Sequence, residues 1–140
     1  MSAMAIKGIL VPLMFFEINE AIASTRRIDE EIAFNFDLKV ASTYLEEHRL
    51  LAVSVLAQSP DSDALLPFRF RIKAVGNFMF DSDPDPELLE TLKEVNCPAI
   101  IFPYIRECLA DMSRRSGMNP INLPLVNFVK HRETGNILKH

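Results

Sequence analysis

The residues best suited to chemistry are few, and their spacing does not build an active site. The three histidines, His48, His131 and His140, lack the spacing to one another or to a cysteine that metal ligands need. Arg106 and Glu107 are neighbours in a predicted helix, where adjacent side chains do not face each other. The sequence contains no glycine-rich phosphate loop, nucleophile elbow or HExxH helix. We therefore predict a protein that is not an enzyme and uses no cofactor or metal.

Three aspartates alternate with other residues at Asp81, Asp83 and Asp85, a pattern that could indicate a calcium loop. An EF-hand also needs a glycine at the turn and a glutamate further along, and both are missing here. Two prolines interrupt the stretch as well. Asp85 stands directly before Pro86, which is the order of an N-cap and a first helical residue. We predict an acidic loop that caps a helix.

Two cysteines, Cys97 and Cys108, are the only candidates for a disulfide. On one continuous helix their separation would place them about 16 Å apart, whereas a disulfide needs Cα atoms within about 7 Å. We expect free thiols, which suit a reducing, cytoplasmic compartment. The alternative for Cys97 is a reactive thiolate favoured by a helix start.

Length and composition limit the remaining function classes. The 140 residues are 49% hydrophobic and carry a net charge of −4. This predicts a single globular domain over 1–140. No lysine or arginine block is present, so we expect no nucleic-acid partner. The apolar run Ile9–Phe16 is too short to span a bilayer, and Pro12 and Glu17 argue against a targeting signal, so we interpret it as a first strand.

Alternation of apolar and polar residues predicts three further strands, at 33–44, 50–57 and 68–74. A short link at Glu46–Glu47 indicates a hairpin, with His48 as a solvated turn residue. Arg69, Arg71 and Lys73 alternate with apolar residues and are predicted to share the outer face. The predicted apolar face includes Phe34, Phe36, Phe68, Phe70 and Ile72.

The period changes to that of a helix after Phe80. A first helix should begin at Pro86 and end before Cys97. A longer second helix should end at Gly117, and Pro103 either opens it or kinks a helix begun at Pro98. Its apolar stripe contains Ile101, Ile105, Cys108, Leu109 and Met112.

The long helix should also carry an ion pair between Asp111 and Arg115. The chain after Gly117 is expected to be extended or looped, with little room for a third helix. Strands followed by helices predict an α+β fold: a four-stranded antiparallel meander packed against a long helix in the C-terminal half.

One segment resembles a known family. The run 96–108 reads Asn-Cys-Pro-Ala-Ile-Ile-Phe-Pro-Tyr-Ile-Arg-Glu-Cys, and Gly117 and Pro124-Leu125-Val126-Asn127-Phe128 follow. This order is similar to that of the SecB protein-export chaperones, which have a Cys-Pro pair, a Phe-Pro-Tyr-x-Arg-Glu helix start, a glycine at the helix end and a Pro-Val-Asn-Phe-like ending. The resemblance covers about a quarter of the chain closely, and the strands from Phe34 to Phe80 in pattern.

The resemblance implies a non-catalytic chaperone that holds unfolded or precursor polypeptides in apolar grooves. It also implies a homotetramer built as a dimer of dimers. We expect client-groove residues among Phe34, Phe36, Phe68, Phe70 and Ile72, although most inward strand positions should pack in the core. The expected oligomer-interface residues are Ile101, Ile105, Leu109 and Met112.

Two departures from the family pattern bear on the export role. The family strand that corresponds to 68–74 carries an acidic residue for the translocase motor SecA, and here that position is Arg71, flanked by Arg69 and Lys73. The family's C-terminal helix is expected to be truncated after Phe128. The motor contact is therefore in doubt. Three alternatives stay open: a dedicated chaperone of an antitoxin, a small ligand-binding protein or enzyme, and a structural oligomer subunit.

Overall fold

The computed structural model describes residues 3–23, 34–61, 66–134 and 137–138. Two predicted features, Gly135 and His140, lie outside these ranges. Along the chain the elements are β1 Met4–Ile18, α1 Glu20–Ala23, β2 Phe36–Leu45, β3 Leu50–Gln58, β4 Phe68–Phe80, α2 Pro86–Thr91, a π-helical turn Leu92–Asn96, α3 Cys97–Arg115, α4 Phe128–Thr134 and β5 Ile137–Leu138.

The strands form one antiparallel sheet in the order β1-β4-β3-β2-β5. The predicted four-stranded antiparallel sheet with a long helix is confirmed, and β2, β3 and β4 are its meander. A 3₁₀ turn, Glu46–His48, closes the hairpin between β2 and β3, and Arg49 adopts φ 49° there. His48 is exposed at this turn, as predicted.

Strand β1 confirms the prediction that the first apolar run is a strand. It pairs with β4 and carries two register shifts, one between Ile6 and Gly8 and the other between Leu10 and Leu13. Pro12 falls in the second irregularity. A proline cannot donate to a sheet ladder, so an edge strand with a bulge is where it is tolerated.

The helical part differs from the prediction of two separate helices. From Pro86 to Arg115 the chain is continuously helical, through α2, the π-helical turn and α3. In the wider turn the Cys97 amide donates to the Leu92 carbonyl, five residues back. This shift in the hydrogen-bond ladder lets the helix continue past Pro98, which has no amide hydrogen. Pro103 lies inside α3.

Helix α3 ends as predicted at Gly117, which has φ +92°. The Gly117 amide donates to the Arg114 carbonyl at 3.0 Å, and the Met118 amide donates to the Ser113 carbonyl at 3.1 Å. These two bonds are those of a Schellman motif, in which glycine takes the left-handed position. The predicted pair of Asp111 and Arg115 is present, with Oδ2 and Nε 3.2 Å apart.

The expectation of no third helix is wrong, because residues Phe128–Thr134 form α4. The Asn127 side chain caps it, since Oδ1 accepts from the Val129 amide at 3.0 Å. Phe128 is buried and its ring lies edge-on to that of Phe102, with centroids 5.9 Å apart. Tertiary packing therefore stabilises a helix that is too short to form alone.

Candidate binding surfaces

The apolar residues expected near a groove lie between the sheet and α3. Their exposed fractions are 6% for Phe34, 0% for Phe36, 0% for Phe68, 2% for Phe70 and 0% for Ile72. The rings contact one another: Phe34 meets Phe68 edge-on with centroids 5.2 Å apart. In the single chain these five side chains belong to the core and present no open surface.

The stripe expected at an oligomer interface is also turned inward. Ile101, Ile105 and Leu109 are fully buried, and Met112 is half-buried. A Cβ on Gly76 of β4 would lie 3.0 Å from Ile101, so the helix approaches the sheet closely at this glycine. The stripe therefore already packs within the chain. On the flank of this stripe, Tyr104 is exposed.

The outer face of the sheet is basic at one end. Arg69, Arg71 and Lys73 are all exposed there. Arg69 Nη2 lies 2.5 Å from Glu17 Oε1 on β1, and this hydrogen bond and opposite charge raise the pKa of Arg69.

Asp37 of β2 is not adjacent to these basic residues. The sheet register places Gln58 of β3 between Asp37 and Arg71. Within the described ranges neither Arg71 nor Lys73 forms an ion pair. The sequence missed Glu17 because the pairing of β1 with β4 joins residues far apart in the chain.

Strand β1 carries an exposed apolar edge. Its exposed fractions are 51% for Ile6, 64% for Leu10, 59% for Met14 and 42% for Phe15. Ile6 pairs with Phe78 and Met14 with Ile72, so both lie on the helix side of the sheet, while Leu10 and Phe15 lie on the outer side. Among the described residues no second strand pairs with this edge. Its concentration of large apolar side chains indicates a contact surface.

A groove of about 440 Å³ runs along the opposite edge of the sheet. It is lined by Val40, Ala41 and Ser42 of β2, Glu90 and the turn residues Lys93 and Glu94, and His131 and Arg132 of α4. Arg132 Nη1 lies 3.8 Å from Glu94 Oε2, so an ion pair joins α4 to the long helix. Among the lining residues, Lys93 and Arg132 balance the charges of the two glutamates.

His131, for which the sequence suggested no role, fixes α4 against the edge of β2. It is buried, and its Nε2 donates to the Leu38 carbonyl at 3.0 Å. Exposed apolar residues border the same segment, with Leu125 83% and Val129 43% exposed. The available signal was the spacing of Phe128 and His131, which places both on one face of a short helix behind the Asn127 cap.

The acidic loop has a structural role. Tyr44 Oη donates to Asp83 Oδ1 at 2.7 Å, and Asp81 Oδ1 accepts from the Ala3 amide at 2.8 Å. These hydrogen bonds join the loop to β2 and to the start of β1. The hydrogen bond from the Ala3 amide lowers the pKa of Asp81. Asp85 is the N-cap residue of α2, although its side chain makes no capping bond.

Neither cysteine is placed for chemistry. Both thiols are free and buried. Burial raises the pKa of Cys97 to about 12, and burial, followed by the nearby charges of Glu107 and Asp111, raises that of Cys108. The described ranges contain no cluster of three or more His, Cys, Asp or Glu residues able to hold a metal ion. Among those same residues no helix is long and apolar enough to cross a membrane.

Comparisons with known proteins agree with the resemblance in the sequence. Residues 1–132 match the family described as preprotein translocase subunit SecB. The protein-export protein SecB of Roseobacter denitrificans is 31% identical over 101 residues, covering 72% of this chain and 60% of that protein. The protein of the same name from Dechloromonas aromatica is 39% identical over 79 residues, covering 56% and 49%. The chain thus spans about half to three fifths of the length of these relatives.

A solved structure has the same fold. It is a Mycobacterium tuberculosis SecB-like chaperone in complex with a peptide from an antitoxin, with a TM-score of 0.62 at 14% identity. The alignment covers 89% of this chain and 88% of that one.

Proposed function

Since the chain belongs to the SecB family, we propose that it is an ATP-independent cytoplasmic chaperone that binds unfolded polypeptides. Two observations support this proposal: the groove between β2 and α4, and the exposed apolar side chains of Leu125, in the segment before α4, and Val129, within α4. An open groove with mixed charges suits clients of many sequences.

We propose that the residues Phe34, Phe36, Phe68, Phe70 and Ile72 act on client binding indirectly. They are buried beneath the sheet and reach no open surface in the single chain. Their packing keeps β2 in place, and β2 forms one side of the groove. Direct contact with the client is assigned to the exposed residues Leu125 and Val129.

A client-aggregation assay tests the function. The protein should suppress aggregation of a chemically unfolded client, such as reduced α-lactalbumin, without nucleotide. Replacing Leu125 with Asp places a charge in the proposed contact surface and should weaken suppression. The matched control is Asn122→Asp, which adds the same charge at an exposed polar position of the same segment. No suppression at stoichiometric concentrations, or equal effects of the two variants, would contradict the proposal.

We also propose a homotetramer formed as a dimer of dimers. Its support is the exposed apolar edge of β1, which α3 of the same chain leaves open at Ile6 and Met14. We propose an indirect effect on the interface for Ile101, Ile105, Leu109 and Met112. The first three have no exposed surface, so they act by holding α3 against the sheet. Tyr104 of α3, which is exposed beside the buried stripe, is the candidate for the second interface.

The choice between export and a dedicated client depends on the outer face of the sheet. We infer weak or absent binding to the motor SecA, because Arg71 and Lys73 stand where the family carries negative charge, and complementary charge mainly sets the rate and specificity of encounter. This basic face favours a dedicated chaperone, such as one for an antitoxin, over general export. A titration of the SecA C-terminal tail against the protein and its Arg69→Glu, Arg71→Glu variant tests this inference. Tight binding by the unmodified protein at physiological salt would favour export.

A further inference from the structure

The outer face of the sheet carries three basic side chains that belong to two different strands. The register places Lys39 of β2 opposite Leu56 of β3, and Leu56 opposite Lys73 of β4. Residues that lie directly opposite each other in a sheet share a face. Arg71 lies two residues before Lys73 on the same strand and therefore also shares that face. Lys39, Arg71 and Lys73 are called the cationic strip below.

The charges of the cationic strip are close together and free. Two residues along a strand span about 7 Å and two strand spacings span about 10 Å, so the three backbone positions lie within about 12 Å of one another. All three side chains are exposed. Among the residues that the structure describes, none of the three has an ion-pair partner. Arg69, the next basic residue on β4, is instead paired with Glu17.

The cationic strip is unexpected in a chain whose net charge is −4. Like charges within about 10 Å of one another repel before salt screens them. Solubility requires exposed charge, but it is served best by both signs interspersed and does not require three unpaired charges of one sign. A negatively charged ligand among these side chains would remove the repulsion. The strip is therefore suited to hold an anionic group.

The neighbours of the strip indicate which class of anion fits. Asp37 lies two residues before Lys39 on the same face of β2, and Glu17 lies beside Arg69, so carboxylates border the strip at one end. A nucleic-acid backbone or an anionic bilayer carries negative charge over a wider area than the strip and would also meet these carboxylates. A peptide with a few carboxylates can avoid them. The charge pattern favours an acidic peptide segment.

Apolar side chains lie beside the free charges. Leu13 of β1 is opposite Lys73 on one side, and Leu56 of β3 is opposite it on the other. Both leucines are half-buried and so keep some exposed apolar surface. A partner that carries apolar residues next to its carboxylates would bury this surface as well as pair the charges.

We propose that the cationic strip docks an extended acidic segment of a partner protein. Alternate side chains of an extended segment lie about 7 Å apart, which matches the spacing of Arg71 and Lys73. Complementary charge mainly sets the rate and specificity of such an encounter. The inference goes beyond the proposed chaperone function, because the strip lies on the sheet face opposite to α3, whereas the proposed client contacts, Leu125 and Val129, lie in α4 and the segment before it.

Charge reversal at Arg71 and Lys73 is the decisive test. The probe is a fluorescein-labelled peptide with glutamates at four alternate positions, followed by leucine, and its binding is measured by anisotropy. The Arg71→Glu, Lys73→Glu variant should bind it about tenfold more weakly, since each exposed charge contributes modestly. The matched control, Arg115→Glu with Lys130→Glu, makes the same change of net charge at exposed positions of α3 and α4. It should change binding by less than about twofold at about 0.1 M salt.

Two further measurements do not depend on the stability of that variant. A peptide with glutamine in place of glutamate keeps the shape and loses the charge, and it should bind the unmodified protein about tenfold more weakly. In a methyl NMR spectrum of the unmodified protein, the acidic peptide should shift the signals of Leu13 and Leu56 and leave that of Leu125 unchanged.

Each contrary outcome overturns the inference. Equal binding of the two peptides, equal binding by the two double variants, or a shift at Leu125 alone would place the peptide elsewhere than on the strip. Tighter binding to phosphatidylglycerol vesicles or to an oligothymidine, lost on charge reversal, would make the partner a membrane or a nucleic acid. Both double variants should still suppress client aggregation, so failure of the inference leaves the chaperone proposal standing.

Discussion

The two outer strands of the sheet, β1 and β2, leave their edges open in different ways. Strand β1 exposes large apolar side chains on both faces, including Leu10 at 64% and Met14 at 59%. Strand β2 instead has a mixed-charge groove, a histidine bonded to its edge and a two-residue strand beside part of it. An exposed apolar edge favours a permanent interface, whereas a polar edge beside a groove can bind a partner reversibly. This difference supports our proposals that β1 contacts another copy of the chain and that β2 contacts the client.

The largest expected effect comes from placing charges on the apolar edge. Lysines at Ile6 and Met14, on the helix side of β1, would have to be buried unpaired in an interface between copies. We expect the proposed tetramer to dissociate, as measured by light scattering at micromolar concentration. The matched control places lysines at Thr43 and Leu45, which are exposed on the other edge strand, and should keep the mass of the unmodified protein. If the unmodified protein and both variants have the same mass, the proposed role of the β1 edge in the oligomer is wrong.

Phe128→Ala tests whether α4 is held against the β2 edge by packing. The ring is buried against Phe102, and its removal leaves a cavity. We expect a loss of about 3 kcal/mol in the free energy of unfolding by urea, together with faster hydrogen exchange in α4. Val129→Ala in the same helix removes a half-exposed side chain and should change stability by less than about 0.5 kcal/mol. A loss of the same size in both variants would show that α4 has no preferred inner face.

The sequence predicted the two layers of the fold because their periods are clear. The alternation of Phe68, Phe70 and Ile72 with Arg69 and Arg71 placed the inner and outer faces of β4 correctly. Those local periods could not show that β1 crosses to the far side of β4, and so they could not show which strand edges are open.

The candidate site was less predictable for the same physical reason. Helix α4 depends on the contacts of Phe128 and His131 with distant residues, Phe102 and Leu38, and its own sequence is too short to indicate a stable helix. The continuation of the helix past Pro98 depends on a π-helical turn, which has no periodic signature in the sequence.

Ser113→Ala tests the hydrogen bond that fixes the segment between α3 and α4 to the end of α3. The Ser113 hydroxyl is fully buried, donates to the Leu109 carbonyl at 2.8 Å and accepts from the Ile121 amide at 2.9 Å. Alanine would leave that buried amide without a partner, which costs about 2 kcal/mol. Ser116→Ala, near the same helix end, removes an exposed hydroxyl that donates to the Met112 carbonyl, and its effect should be much smaller. If Ser113→Ala is as stable as Ser116→Ala, the segment that leads to α4 is not fixed by this bond.

The smallest expected effect concerns Cys97, which lies in the core and belongs to neither edge. Because burial raises its pKa to about 12, the folded thiol keeps its proton at pH values where an unfolded thiol, with a pKa of about 8.5, loses it. The unfolded state therefore binds fewer protons above about pH 8.5, and the folded state loses stability as the pH rises from there toward 12. Cys97→Ala should remove this contribution, so the stability difference between the unmodified protein and the variant should shrink between pH 7.5 and about 9.5.

Native protein should also react slowly with a thiol reagent such as DTNB at about pH 8, and rapidly once it is unfolded in urea. Fast labelling of the folded protein would place the thiol at a surface, and the alternative of a reactive helix-start cysteine would then be the correct one.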